Sequence, residues 1–317
     1  FTHPAQALAA GGGKTKNAAR GSEKAKDSSP DPGIQAPTIG GLSGLFRTVT
    51  GDIGGQHTFR LGLSLQMFSS GGFLVSSDTH SRFIATLSAS YTPWKYIELF
   101  ANARSMANDN ERPPETGRLD PQVILALGDF SFGGKAIYPF KNGMVTVGGN
   151  IGLTLLNSVG GVSIDGDSTS FYIGLISGLD LTKKAKPWPL RFHLNIGYFL
   201  DNSDSLATFG NNYTLASLQV EKFALGINPA RMQFRLGIDA PLQRWTKIGV
   251  TPILEFNFDV ATASEDEDFR PFVCSAARPT NCISEDEFGG RLTSWMTFGV
   301  RVRPLRGLNL SIATDIG

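Results

Sequence analysis

The sequence predicts an all-β chain: a transmembrane antiparallel up-and-down β-barrel of about 12 strands, with short periplasmic turns and long extracellular loops. Three observations lead there. Apolar residues recur at every second position in eleven segments. The connections between these segments are short and long in strict turn, and tryptophan and proline collect in the short ones.

In residues 58–67 every odd position is apolar and every even one is small or polar. Such alternation puts the apolar side chains on one face of an extended chain. The pattern returns in 82–91, 145–155, 191–200, 231–240, 250–260 and 292–302, with weaker copies in 97–106, 128–138, 171–181 and 308–316. Short turns fall at 93–95, 139–143, 182–189, 241–247 and 303–307, and long connections at 69–81, 107–121, 156–169, 201–223 and 261–290. A soluble sandwich would alternate too, but it has no reason to gather Trp94, Phe140, Trp188 and Trp245 at one end of its hairpins. A membrane interface collects such rings. Eleven strands would leave the first and last parallel, whereas single-chain bacterial barrels have even numbers. A twelfth strand is therefore expected, either beyond Gly317 or from 42–50 pairing at the seam.

Composition narrows the classes. The 317 residues carry 29 basic and 28 acidic side chains, a net charge of +1, so no basic excess points to nucleic acid. A mean hydropathy of −0.07 and the lack of a long apolar run exclude a helical membrane protein. Before the barrel, expected over 57–317 without its last strand, three segments differ in character. Residues 1–10, with Ala7-Leu8-Ala9, have the small-x-small form of a signal-peptide remnant. Residues 11–41 are rich in Gly, Lys, Ser and Pro and predict a flexible linker. Their Gly13-Lys14-Thr15 is no phosphate loop, because the motif's first glycine falls on Leu8 and no strand precedes it. Residues 42–56 remain open between a plug, a short amphipathic helix and a seam strand.

Strand parity yields the lumen. Arg60, Glu98, Arg104, Lys135, Arg191, His193, Arg235, Asp239, Glu255, Asp259 and Arg301 share the inward face, along with Asn102, Asn150, Asn195 and Asn257. An Arg or Lys on the lipid face at mid-bilayer would cost about 2–4 kcal/mol. Such an interior is either a wet pore or a closed ion-pair network in a plugged barrel.

A catalytic set is not apparent, nor is a cofactor motif. The four histidines are scattered, and His80 with Asp78 and Ser76 or Ser81 is a weak candidate for a rim triad. Cys274 and Cys282 lie in the longest loop, where an even pair in an exported chain suggests a disulfide. Around them stand Glu265, Asp266, Glu267, Asp268, Glu285, Asp286 and Glu287, weak candidates for a cation and more simply a solvated acidic face.

The run Leu127-Gly128-Asp129-Phe130-Ser131-Phe132-Gly133-Gly134-Lys135 looks like the GD-x-x-x-G-x-K hairpin strand of Gram-negative barrels. With Glu221-Lys222-Phe223-Ala224-Leu225-Gly226-Ile227-Asn228, it resembles the barrel portion of OmpA-like outer-membrane proteins of myxobacteria and their relatives, over residues 52–317. The resemblance implies a place in the cell outer membrane among lipid and lipopolysaccharide. Three functions follow as expectations: a non-enzymatic scaffold that binds another envelope protein, a porin-like passive channel for small polar solutes, and, remotely, a membrane-embedded hydrolase.

Overall fold

The computed structural model describes residues 5–10, 36–71, 79–111, 123–156, 168–184, 186–203, 230–242, 249–262, 273–275, 278–283, 292–305 and 307–317. Each of the eleven alternating segments is a strand. In chain order they are β2 (Phe59–Gly71), β3 (Thr79–Trp94), β4 (Ile97–Glu111), β5 (Val123–Phe140), β6 (Val145–Leu156), β7 (Ser168–Asp180), β8 (Arg191–Leu200), β9 (Arg231–Asp239), β10 (Gly249–Ala261), β13 (Leu292–Leu305) and β14 (Leu308–Ile316), preceded by β1 (Ala5–Ala10). A hairpin of β11 (Val273–Ser275) and β12 (Arg278–Ile283) stands in the connection between β10 and β13.

The eleven long strands form one antiparallel up-and-down sheet, and β1 pairs with both β14 and β2 to close the ring. Ala5 lies opposite Ala313, and Leu8 lies between Leu310 and Leu63. In the structure the strand between β14 and β2 is residues 5–10, within the segment read as a leader remnant, and not residues 42–50. Antiparallel pairing demands an even ring, so a strand from the other end of the chain fills the gap that parity leaves.

Alternation sets the two faces. Along β2, Phe59, Leu61 and Leu63 are 50%, 45% and 41% exposed, while Arg60 and Ser64 on the other parity are 4% and 7% exposed. The same division runs round the wall, with Leu87, Leu99, Ile151, Ile173, Leu175, Phe298 and Ile312 all exposed on the outside. Polar side chains are buried on the inside because residues 36–56 occupy the lumen. There Leu42, Ser43, Leu45, Phe46 and Thr48 are each at most 4% exposed. This segment is neither a helix nor a seam strand. It is a compact double turn held by isolated bridges between Pro37 and Ser43 and between Gly44 and Val49. It begins within the stretch expected to be linker: Ala36 and Thr38 are 2% and 5% exposed.

Candidate functional site

The lumen's charged residues converge on the backbone of this plug. At its tip, residues 45–48 reverse direction, with the Leu45 N–H donating to the Thr48 carbonyl at 2.9 Å. The opposite pair, which would also bond in an ordinary two-residue hairpin, is given to the wall instead. The Thr48 N–H donates to Glu255 at 2.7 Å, and the Leu45 carbonyl accepts from Arg301 at 3.0 Å. Glu255 also accepts the Arg47 N–H, Arg301 reaches the Gly44 carbonyl, and Arg235 donates to the Arg47 carbonyl. A buried turn cannot leave its amides to water, so fixed carboxylates and guanidinia take that role.

A second cluster grips the middle. Glu98, fully buried, accepts the Ser43 N–H at 3.0 Å and faces Lys135 at 3.2 Å and Arg60 at 3.5 Å. Lys135 Nζ donates to the carbonyls of Ser43, Thr50 and Asp52 at 3.0, 2.8 and 2.8 Å, and it lies 2.8 Å from Ser43 Oγ. A serine beside a lysine invites comparison with a nucleophile and its base. Here the Ser43 hydroxyl donates to Glu98 at 2.5 Å, and Lys135 Nζ is directed at three main-chain carbonyls. The arrangement is a clamp on main-chain carbonyls.

A third cluster anchors the exit. Asp52 of the plug pairs with Arg191 at 3.1 Å. Arg191 also pairs with Asp239, which His193 Nε2 meets at 2.9 Å. Asn195 exchanges two hydrogen bonds with Val49, at 2.7 and 2.9 Å, Arg60 donates to the Ile53 carbonyl, and Asn102 donates to that of Gly40.

Apolar seats complete the fit. Leu45 and Phe46 pack with Ile253 and Ala313, and Ile53 packs with Ile137 and Ile176. A Cβ on Gly299 would come within 2.3 Å of the Phe46 ring, and one on Gly237 within 2.6 Å of Leu45. A cavity of only about 20 Å³ remains between the plug and Gly62, Ser64, Ser88 and Arg301, room for roughly one water.

Of the lumen residues read from parity, Arg60, Glu98, Lys135, Arg191, Arg235, Glu255 and Arg301 contact the plug directly. Asp239 and His193 act behind Arg191. Asp259 lies apart, meeting Arg231 at 3.5 Å and Gln233 at 3.3 Å, and Arg231 also pairs with Asp201 at 2.8 Å. Arg104 is half-buried at a bulge in the β4–β5 pairing. Trp94, Phe140 and Trp188 are exposed at the short turns. Trp245, Asp78, Ser76, the seven loop acids and the 221–228 motif lie outside the described residues. His80 is buried, its ring 6.1 Å from that of Phe68. The backbone register sets Cys274 opposite Cys282. Among the described residues no group of three His, Cys, Asp or Glu side chains is placed to hold a metal.

Sequence reasoning missed the plug's own Ser43, Arg47 and Asp52, and the seats at Ile137, Ile176 and Ile253. One signal was available: those isoleucines stand on the polar parity of their strands. No family model matches this chain, and no curated protein matches it significantly.

Proposed function

We propose that this chain is an integral outer-membrane β-barrel that serves as a non-enzymatic, partner-binding scaffold of the cell envelope, its lumen stoppered by its own residues 36–56. The observation that carries the reading is the plug seat: the groups that would line a conduit are spent on main-chain atoms of the plug. The outer face supports the membrane part. Large exposed apolar side chains run round the wall, and an apolar surface of that extent calls for a bilayer or a partner. The resemblance to OmpA-like barrels agrees with this location. Lipid and lipopolysaccharide would then surround the wall, leaving the long loops to meet another envelope protein.

A passive channel is the second reading, favoured by a lumen of both charge signs. It requires the plug to leave, and with it every clamp described above. Planar-bilayer recording separates the two. Purified full-length chain should insert without stepwise current, and regular current steps from the unaltered chain would replace the scaffold with a channel.

A further inference from the structure

We infer that the short-turn rim binds the headgroups of anionic phospholipids, an inference that rests on the membrane reading above. The turns β3–β4, β5–β6 and β7–β8 are neighbours on one arc of the barrel. They carry Lys95, Lys141, Lys183, Lys184 and Lys186, all exposed. The acid that borders these turns, Asp180 at the end of β7, is taken by Lys183 at 3.6 Å, and Lys183 also donates to the Gly143 carbonyl at 3.0 Å. Among the described residues no carboxylate pairs with the other four. This arc is strongly cationic in a chain whose net charge is only +1.

Rings mark the level at which the cations stand. Trp94, Tyr96, Phe140 and Trp188 are 60%, 41%, 48% and 62% exposed, and each lies within two positions of one of these lysines. Tyr138 packs edge-on against Phe140 at 4.8 Å, and Lys95 sits 5.4 Å over the Tyr96 ring. Rings and lysines thus share the short turns that end the exposed apolar wall. Amphipathic rings settle at the boundary between acyl chains and headgroups, and a basic side chain just beyond that boundary meets the phosphates. An acidic soluble protein would meet the lysines end-on and leave the rings uncovered, so the arrangement fits a lipid leaflet better.

The test uses the full chain in vesicles of phosphatidylcholine containing either brominated phosphatidylglycerol or brominated phosphatidylcholine, with tryptophan quenching as readout. The brominated anionic lipid should be preferred by about fivefold, the size expected of one lysine near an anionic surface. High salt should reduce that preference. The fourfold variant Lys95→Gln, Lys141→Gln, Lys184→Gln, Lys186→Gln should lose it; if that variant does not assemble, Lys184→Gln with Lys186→Gln should at least halve it. Equal quenching by both lipids in the unaltered chain overturns the inference, as does a preference unchanged in the variants. Binding of an acidic peptide that the variants abolish, without any lipid preference, assigns the rim to a protein and overturns it as well. Failure to insert into neutral vesicles overturns the membrane reading itself, whereas insertion without preference removes only this inference.

Discussion

Gly299 and Phe46 show how closely single positions fit the plug to its wall. On the inward face of β13, glycine is the one residue without a Cβ, and a Cβ there would stand 2.3 Å from the Phe46 ring. Overpacking a filled site of this kind costs about 1–3 kcal/mol. A Cβ at Gly299 would also stand 2.8 Å from the Ile312 carbonyl of β14, whereas the three atoms nearest a Cβ on Gly237 all belong to Leu45 and Thr48, so strain at Gly237 should fall on the plug. Gly237→Val is therefore expected to keep the heat-modifiable mobility of a folded barrel while trypsin cuts after Arg47 about tenfold faster or more, the rate equivalent of that destabilisation. Arg47 should resist cleavage in the unaltered chain, because Glu255 and Arg235 hold its main chain and Asp315 its guanidinium at 2.7 Å. Unchanged protection in Gly237→Val would mean that the plug does not depend on this seat. Truncating a buried ionic partner such as Glu98 would instead strand Lys135 and Arg60, at about 3–5 kcal/mol.

Elements differ in how far their own residues define them. All eleven long strands were legible from period-two alternation, because which face a side chain takes in a strand depends only on its position along it. Their lengths were not: β3 and β5 run for 16 and 18 residues, into stretches read as loop or turn. Hydrogen bonding to a neighbour extends a strand past the end of its apolar pattern. The β11–β12 hairpin was invisible in the acidic loop, yet its register sets Cys274 opposite Cys282. Directly opposed antiparallel residues have Cα atoms about 4.5–5.5 Å apart, within the span of a disulfide. In an oxidising compartment the two should be bridged. Intact mass after alkylation without reductant should show no added label, and two labelled thiols would rule the bridge out.

For the whole molecule, the two ends of the barrel are unlike, and that difference predicts orientation. One end carries short turns with lysines and exposed rings, the other the long connections. With the short turns facing the periplasm, a single cysteine at Lys184 should escape a membrane-impermeant thiol reagent on intact cells, and one at Asp109 should react. The background for both should be the Cys274→Ser, Cys282→Ser chain. The reverse pattern would invert the barrel. Labelling at both positions would indicate that the chain does not lie across a sealed membrane.

Alternation, turn spacing and parity, all local properties, determined the strands, the two faces of the wall and the polarity of the lumen from sequence alone. Tertiary structure decided what that polarity serves. Whether Glu255 and Lys135 face water or an amide depends on which distant segment enters the barrel, and the alternation of β5 and β10 does not name that segment. Closure was likewise settled at long range, since β1 and β14 come from opposite ends of the chain and neither strand's pattern names its partner. The inward isoleucines at 137, 176 and 253 held a trace of the answer. They acquire meaning only when Leu45, Phe46 and Ile53 arrive to cover them, because an apolar contact is a property of two surfaces brought together.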